Sequence, residues 1–391
     1  MATINYNHFI TKDLTNIADD PIAELTIKAK KYNDVISFGR GEPNFDMAKF
    51  IKDAMIRAIK ENQTHYVSGS IPELNEAIAD KLKNENGLDI NPQSGIVVGA
   101  GSLSVLQAII GAIVDPGEEI ILTDPTYLKY ISIIQSMHAK PKYAIVHEEN
   151  NFAPTVEELE KVWTNKTKAI IVNSPCNPTG GVFTKKQLEE IAEFAIEKNI
   201  IIITDEVYEH ILYDNAKHYS IGSFDTDIAK RTITLNSFSK SYAMTGLRMG
   251  YAAGPVGLMK YVFNYNYFGH ICACVPAMYA ALEALTNPKS KEFVQSMVKE
   301  YNRRRKFIVK RLNEIGLTTK MPKGAFYTFS RCDNFNKNSY SFANNVLEKA
   351  HVVVVPGSAF GPHGEGFVRI SYATEYEQIK EAMNRMEKFL K

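Results

Sequence analysis

Short apolar runs alternate with amphipathic helical patterns between residues 96 and 235, and this alternation leaves few folds open to the chain. We predict strands at Ile96–Val98, Glu119–Leu122, Ala169–Val172, Ile200–Thr204 and Thr232–Leu235. We predict helices between them at Ser104–Ile113, Leu128–Met137 and Lys185–Lys198. Because strands that alternate with helices form βαβ units, the pattern predicts an α/β fold with a mainly parallel sheet and helices on both of its faces.

A different pattern begins near residue 287, where long charged helices flank short strands. Helices are predicted at Lys289–Ile315 and Ser339–Ala350, and strands at Ala325–Phe329, Val352–Val355 and Phe367–Ser371. We therefore expect a large domain at residues 45–286 and a smaller α+β domain at residues 287–391. Residues 1–44 are too few to fold alone, so we expect them to form an N-terminal arm that joins the smaller domain.

The charge balance and the cysteine content bear on the class of ligand. The 391 residues include 45 Lys and Arg and 44 Asp and Glu, a net charge of +1 with no basic stripe. This composition favours a small-molecule ligand over nucleic acid or a membrane surface. The first residues, MATINYNHFITKDL, are too polar for a signal peptide, and no run approaches the ~18 apolar residues of a membrane span. Four cysteines do not make a disulfide framework in a chain of this size, so we expect a cytoplasmic protein.

Each of the five predicted strands runs into a polar motif. These motifs are, in chain order, GAGS, DPTY, NSPCNPTG, DEVY and SFSK. Each motif alone has a structural explanation as a turn or a helix cap. In open α/β sheets, however, ligands bind in the crevice beyond the carboxyl ends of the strands. Five polar motifs at the same edge of the sheet therefore predict one binding site.

The GAGS motif, residues 99–102, has the properties of a phosphate site. Its glycines let the backbone approach an anion, and the N-terminus of the following helix offers unpaired N–H groups. It is not a nucleotide P-loop, because neither GKS nor GKT follows and the GxGxxG spacing is absent. Arg248 is a candidate second ligand, since guanidinium binds phosphate bidentately, and Ser237 and Ser239 can add hydroxyl donors.

Lys240 lies directly after these serines. An amine that forms a Schiff base must be neutral part of the time, and burial or a neighbouring cation lowers its pKa enough to allow this. An aspartate such as Asp205 can pair with a pyridinium nitrogen, and a tyrosine such as Tyr208 can bond a phenolic oxygen. These residue types together predict pyridoxal 5'-phosphate as the cofactor.

Much of the chain resembles the pyridoxal-phosphate-dependent aminotransferases of fold type I, class I/II, most closely the bacterial aspartate aminotransferase-like branch. The matching stretches are GEPNFD (41–46), HYVSGSIPELNEAIA (65–79), DPGEEIILTDPTY (115–127), NSPCNPTGG (173–181), TDEVYEHILYD (204–214), SFSKSYAMTGLRMGY (237–251), KGAFYTF (323–329) and VVPGSAFGPHGEGFVRISYAT (354–374). The resemblance implies an enzyme that exchanges an amino group between an L-amino acid and a 2-oxo acid, expected to be 2-oxoglutarate, by a ping-pong mechanism.

The resemblance also implies roles for the residues around the cofactor ring. Lys240 matches the lysine that binds the cofactor covalently and moves the substrate proton. Asp205 matches the partner of the ring nitrogen, and Tyr127 matches the aromatic residue that stacks on the ring. Asn177 and Tyr208 match the two donors to the phenolic oxygen of the ring.

Further roles implied by the resemblance concern phosphate, substrate and assembly. The matching phosphate ligands are Gly101, Ser102, Leu103, Ser237, Ser239 and Arg248. Arg369 matches the arginine that binds the substrate α-carboxylate, with Gly41 and Asn177 beside it. Tyr66 matches a tyrosine that reaches the phosphate of the neighbouring subunit, which implies a homodimer with shared active sites.

Departures from the family pattern bear on the substrate. Leu103 stands where similar aspartate enzymes place a lysine that contacts the distal carboxylate. Arg40 stands where a small residue is usual, and two interpretations stay open. Arg40 either binds the distal carboxylate of 2-oxoglutarate or glutamate, or it turns outward and pairs with an acid such as Glu42. No metal is expected, because His270, Cys272 and Cys274 form a poor ligand set.

Two alternative functions remain at the level of sequence. A relative with the same cofactor site could catalyse elimination, cyclisation or oxidative deamination, since one fold hosts many chemistries. A regulator could use the scaffold without catalysis. The presence of Lys240, Asp205, Tyr208 and Arg369 together argues against a regulator.

Overall fold

A seven-stranded sheet forms the centre of the computed structural model, which describes residues 6, 9–11 and 21–391. The strands are β1 (Ile36–Ser37), β2 (Ile96–Gly99), β3 (Glu119–Asp124), β4 (Lys140–Ile145), β5 (Thr167–Asn173), β6 (Ile201–Asp205), β7 (Thr232–Ser237), β8 (Gly250–Ala253), β9 (Tyr327–Arg331), β10 (Val352–Val353), β11 (Val355–Pro356) and β12 (Phe367–Ser371). The central sheet has the order β2-β8-β7-β6-β5-β3-β4. Within it β8 is antiparallel to both of its neighbours, and the other pairs are parallel.

The helices lie between and after these strands. They are α1 (Pro21–Ala29), α2 (Lys49–Lys60), α3 (Pro72–Lys81), α4 (Ser102–Ile113), α5 (Leu128–Ser136), α6 (Val156–Val162), α7 (Lys185–Glu197), α8 (Thr226–Ala229), α9 (Phe238–Ser241), α10 (Val256–His270), α11 (Val275–Thr286), α12 (Ser290–Glu314), α13 (Ser339–Ala350) and α14 (Tyr376–Leu390). A π-helical turn, Leu82–Asn86, extends α3.

The apolar strands of the central sheet are covered on both faces. In β5, Ile171 packs into a cluster with residues of α4 and α5, whereas Ile170 and Val172 pack into a second cluster with residues of α7. Successive side chains of a strand point to opposite faces, so a strand buried on both faces reads as an uninterrupted apolar run. The predicted α/β fold with a mainly parallel sheet is confirmed.

Local sequence also sets where helices begin. α7 starts after Thr184, whose Oγ1 accepts a hydrogen bond from the backbone N–H of Gln187 at 3.3 Å. The side chain of Gln187 accepts one in return from the backbone N–H of Thr184 at 2.9 Å. This reciprocal capping box satisfies two N–H groups that the first turn of the helix leaves unpaired.

The C-terminal residues form a separate three-stranded antiparallel sheet of order β11-β12-β9. The run predicted as one strand, Val352–Val355, divides into β10 and β11 because the two halves pair with different partners, β1 and β12. The strand predicted at Ala325–Phe329 lies at Tyr327–Arg331 instead, since Ala325 has a positive φ of 55° that extended pairing does not allow.

The predicted domain boundaries stay a proposal. We propose domains at residues 45–286 and 287–391, because α11 ends at Thr286 and the next helix begins at Ser290. The predicted N-terminal arm, residues 1–44, is only partly covered, and residues 1–5, 7, 8 and 12–20 lie outside the described residues. Within that arm β1 pairs in parallel with β10 of the C-terminal part.

Asp124, at the end of β3, joins the central sheet to the segment before β12. Its carboxylate is 1% exposed and accepts a hydrogen bond from Nδ1 of His363 at 2.7 Å. Burial raises the pKa of Asp124, although the hydrogen bonds from His363 oppose this. The backbone N–H of Thr126 also donates to the carbonyl of Phe360 at 2.8 Å. Gly361 lies between these contacts with a φ of 126°, and a Cβ there would be 2.1 Å from Oδ1 of Asp124.

We expect Gly361→Ala to lower the free energy of unfolding by roughly 2–4 kcal/mol, because the methyl group would strain a positive φ and displace a buried carboxylate. Chemical denaturation of the holoenzyme measures the change. Gly257→Ala is the matched control, since a Cβ at Gly257 in α10 meets no atom within 4 Å. Equal stability of both variants would show that the contact between Asp124 and Gly361 is not tight.

Candidate active site

A cavity of 590 Å³ lies beyond the carboxyl ends of the parallel strands. Asn173, the last residue of β5, is paired in register with Asp205, the last residue of β6. Ser237 ends the neighbouring strand β7. Because parallel strands end at the same edge, the motifs that follow them in the sequence meet in space. The predicted residues that line the cavity are Arg40, Gly41, Ser102, Leu103, Tyr127, Asn177, Asp205, Tyr208, Ser237, Ser239, Lys240, Arg248 and Arg369.

Lys240 lies in α9, a short helix that begins directly after β7. Its Nζ donates a hydrogen bond to the carbonyl of Gly41 at 2.5 Å. Burial lowers the pKa of Lys240 to about 8, the negative charge of Glu42 opposes this shift, and the positive charges of Arg248 and Arg369 reinforce it. A lysine with a pKa of about 8 is roughly one tenth neutral at pH 7, and the neutral amine is the form that reacts with a carbonyl group.

Asp205 is buried at the end of β6. Its Oδ2 accepts a hydrogen bond from the hydroxyl of Tyr130 at 2.5 Å, and its Oδ1 accepts one from the backbone N–H of Val207 at 3.2 Å. Burial raises the pKa of Asp205 to about 6, although these two hydrogen bonds favour the charged form. A buried carboxylate with a raised pKa is stabilised by a cationic partner, as a protonated pyridine nitrogen would be.

The predicted phosphate site forms a cradle of donors. Gly101 has a φ of 89°, and a Cβ there would lie 2.3 Å from Nη2 of Arg248, so only glycine lets the guanidinium approach this closely. α4 begins at Ser102, which lines the cavity together with Leu103, Ser237 and Ser239. Backbone donors, hydroxyls and a guanidinium together match a phosphate monoester.

Arg369, in β12, is 2% exposed and faces the cavity. Its Nη2 donates to the carbonyl of Gly39 at 2.6 Å, and its Nη1 donates to Oδ1 of Asn177 at 3.2 Å. The guanidinium also lies over the ring of Tyr327, 4.7 Å from the centroid. These contacts hold a planar, charged fork in one orientation, which suits bidentate binding of a carboxylate.

Two tyrosines complete the wall between Asp205 and Arg369. The hydroxyls of Tyr208 and Tyr327 are 2.8 Å apart and share a hydrogen bond. Burial raises the pKa of Tyr208, so its hydroxyl keeps its proton and can donate. The ring of Tyr127 packs edge-on against Tyr130 at 5.3 Å. The ring positions are therefore set by packing before any ligand binds.

Two predicted residues differ from this group because their side chains are largely exposed. Tyr66 is 79% exposed and is not among the lining residues of the cavity. Arg40 lines the cavity, but its side chain is 79% exposed and its Nη1 lies 3.6 Å from Oε1 of Glu42. This geometry matches the interpretation in which Arg40 turns outward towards Glu42.

Several residues that line the site were not among the residues predicted from the sequence. Tyr130 bonds Asp205, Tyr327 bonds Tyr208, and Glu42 faces Lys240. Tyr327 lies within the matched stretch KGAFYTF, and Tyr130 follows Tyr127 by three residues, about one helical turn. Their positions were therefore visible in the sequence, but their partners were not.

Comparisons with known proteins agree with this geometry. Residues 33–386 match the model of the family described as aminotransferase class I and II. The chain is 46% identical to an aspartate aminotransferase of Pyrococcus abyssi, with 97% of each chain covered. It is 44% identical to aromatic-amino-acid aminotransferase 2 of Thermococcus litoralis, with 95% of each chain covered.

A solved structure has the same fold. The aspartate aminotransferase from Thermus thermophilus, solved with maleate, superposes with a TM-score of 0.92 at 34% identity, covering 97% of this chain and 99% of that chain. The predicted cofactor is confirmed, and the donor cradle, the lysine and the buried carboxylate fit pyridoxal 5'-phosphate. The chain belongs to the class I and II aminotransferases, pyridoxal-phosphate-dependent enzymes of fold type I that exchange an amino group between an amino acid and a 2-oxo acid.

Proposed function

We propose that this aminotransferase uses 2-oxoglutarate as its amino acceptor and an L-amino acid with an acidic or aromatic side chain as its donor, in a ping-pong exchange. The observation that carries the proposal is the presence of Lys240 and the buried Arg369 in the wall of one cavity. The relatives named for aspartate and for aromatic amino acids support the two donor classes.

We propose that the following residues hold the cofactor. Asp205 would pair with the ring nitrogen, Tyr208 and Asn177 would donate to the ring oxygen, and Tyr127 would pack on the ring face. The phosphate ligands would be Gly101, Ser102, Leu103, Ser237, Ser239 and Arg248. The bound cofactor supplies an electron sink for the negative charge that develops at the substrate Cα.

Lys240 and Arg369 would act on the substrate itself. Arg369 would bind the α-carboxylate in both half-reactions, because every amino acid and 2-oxo acid carries that group. This contact would orient the Cα–H bond towards Lys240, whose lowered pKa allows the neutral amine to accept the proton. The buried surroundings of Tyr208 and Tyr327 would exclude water from the transfer.

We expect the holoenzyme, given an amino donor but no 2-oxo acid, to release one equivalent of oxo product per active site and then stop. The reason is that transamination leaves the amino group on the enzyme until an acceptor removes it. A single-turnover assay of oxo product against active-site concentration measures this. Continuous release of oxo product would instead indicate elimination or oxidative deamination. Lys240→Ala is the control that should release none.

The distal carboxylate of the acceptor needs a further cation. Leu103 offers no charge, whereas Arg40 lines the cavity with an exposed side chain that can leave Glu42 at small cost. We propose that Arg40 contacts the distal carboxylate of 2-oxoglutarate when the acceptor binds.

We expect Arg40→Ala to raise the KM for 2-oxoglutarate by about 2- to 5-fold, because a contact made by an exposed guanidinium is screened by water. The KM for pyruvate should stay unchanged, since pyruvate lacks the distal carboxylate. Steady-state kinetics with both acceptors measures the difference, and Arg57→Ala, which removes an exposed arginine of α2 paired with Glu283, is the control. Equal changes with both acceptors would assign Arg40 a structural role.

We propose that the enzyme is a homodimer in which Tyr66 reaches the phosphate site of the partner. Tyr66 and Phe268 are strongly exposed, with Tyr267 and Ile271 also partly exposed. A β-bridge between Gly69 and Cys272 connects the segment after Tyr66 to the end of α10. Large apolar side chains gathered at one surface commonly mark a protein interface.

We expect a mixture of Lys240→Ala chains and Tyr66→Ala chains, dissociated and reassembled together, to recover about one quarter of the wild-type activity. Half of the dimers would be mixed, and each mixed dimer would have one site with both residues intact. Turnover measured before and after reassembly gives the gain. If the mixture is no more active than the two variants assayed separately, Tyr66 does not act across a dimer interface.

Among the residues that the structure describes, none of the helices combines the length and the hydropathy that a bilayer crossing requires. The cytoplasmic location stays a prediction from the sequence.

A further inference from the structure

A second cavity, of 830 Å³, lies at the junction of α11 and α12. We call it the α12 cavity. Its walls are the end of α11, the first half of α12 and the side chains of Glu85, Glu209, His210, His218 and Tyr242. Among the described residues, none lines both this cavity and the active site. The α12 cavity is therefore a separate compartment with its own polar groups.

The acidic groups in its wall already have partners. Oε1 of Glu209 accepts hydrogen bonds from Lys81 at 2.5 Å and from Asn236 at 2.6 Å, and Oε2 accepts one from Asn86 at 2.7 Å. Glu85 is 3.0 Å from Nε2 of His210. Because these carboxylates already have cationic and amide partners, a metal ion or an ammonium group would gain little by binding to them.

Two buried polar atoms of the same cavity have no hydrogen-bond partner among the described residues. His218 uses Nε2 to contact Glu206 at 3.0 Å, and within the described part of the chain its buried Nδ1 has no hydrogen-bond partner. Burial opposes a charge on His218, but the adjacent Glu206 outweighs it and raises the pKa of the imidazole. When the imidazole is protonated, Nδ1 carries a hydrogen that can donate to a ligand. Ser290 is 6% exposed, and its Oγ likewise lacks a partner among the described residues. Buried donors without acceptors are costly, and an acceptor from a ligand would remove that cost.

The outer part of the α12 cavity adds charge and apolar surface. Lys291 and Lys299 line it from α12, and neither forms an ion pair with another described residue. Val294 and Val298 lie between them on the same helix, and Leu285 faces them from α11. The groups without a partner are thus two buried polar atoms and two ammonium groups, next to an aliphatic wall.

We propose that the α12 cavity binds a small organic carboxylate with an apolar body. The carboxylate would accept hydrogen bonds from His218 and Ser290 and would be attracted by Lys291 and Lys299. The apolar body would pack against Val294 and the neighbouring aliphatic side chains. A carboxylate is favoured over a cation because the acids of the wall are already compensated.

The position of the cavity connects it to catalytic residues of the proposed site. His218 contacts Glu206, which directly follows Asp205 in the chain. Nδ1 of His210 lies 3.0 Å from Oγ of Ser241, which directly follows Lys240. A bound carboxylate would therefore contact His218, which is hydrogen-bonded to the segment that holds Asp205, and we expect it to change turnover without competing with the amino donor.

Crystals of the holoenzyme soaked with 4-bromobenzoate test the site, because the anomalous signal of bromine locates the probe directly. We expect a bromine peak within the α12 cavity. A peak only beside Arg369, or none, overturns the proposal. The neutral analogue 4-bromobenzyl alcohol should give a weaker peak or none, since it lacks the charge that the donors require.

Ligand-observed NMR with 4-bromobenzoate tests binding in solution. In the holoenzyme, Arg369→Ala removes the proposed active-site contact. Binding that persists in this variant therefore belongs to the α12 cavity. This binding measurement does not depend on the identity of the proposed amino acceptor. Adding Lys291→Glu and Lys299→Glu should weaken the remaining affinity at least about 10-fold, since both charges are reversed. The control Lys306→Glu, an exposed lysine of the same helix outside the cavity, should leave it unchanged. If the Arg369→Ala variant binds 4-bromobenzoate equally well with and without Lys291→Glu and Lys299→Glu, the proposal is overturned.

Ser290→Ala separates a ligand role from a structural role. Removing a buried hydroxyl without a partner should leave the melting temperature equal or slightly higher. Binding of 4-bromobenzoate should nevertheless weaken several-fold, because one donor is lost. A lower melting temperature with unchanged binding would assign Ser290 to the structure alone. Binding to wild type with no change in kcat would overturn the effect on turnover.

Discussion

The register of three parallel strands sets the geometry of the active site. Asn173 of β5 is paired with Asp205 of β6, and Asp205 is paired with Leu235 of β7, two residues before Ser237. Backbone hydrogen bonds across the sheet therefore bring the ends of distant sequence segments to one edge. A shift of one residue would turn each side chain to the other face of the sheet and would disperse the site.

Burial and neighbouring groups together set the pKa values of Lys240 and Asp205 in the cavity. Burial lowers the pKa of Lys240, and the positive charges of Arg248 and Arg369 add to this effect. Burial raises the pKa of Asp205, and its carboxylate accepts a hydrogen bond from Tyr130. Before a ligand binds, the site thus disfavours a charge on its amine and on its carboxyl group. In a cofactor with an aldehyde, a basic ring nitrogen and a phosphate, the aldehyde suits the neutral amine and the ring nitrogen suits the buried carboxyl group. The phosphate suits the guanidinium of Arg248.

The segment after β6 serves two compartments at once. Asp205 and Tyr208 face the active-site cavity, whereas Glu209 and His210 face the α12 cavity. Glu206 is buried between them and contacts His218 and Ser220. One short segment therefore carries side chains that line both cavities. This arrangement gives the inferred carboxylate site a physical connection to catalysis.

The sequence by itself determined the parallel α/β fold and the motifs at the strand ends, because these depend on local periodicity and on residue types at fixed spacing. It also determined the family and its cofactor, through the resemblance of long stretches of the chain to that family. Only the tertiary structure decided which side chains meet. Tyr130 bonds Asp205 across 75 residues, and Tyr208 bonds Tyr327 across 119 residues. The outward position of Arg40 and the α12 cavity likewise depend on how distant elements pack. Such contacts leave no periodic signal in the sequence, since packing of distant elements brings the partners together.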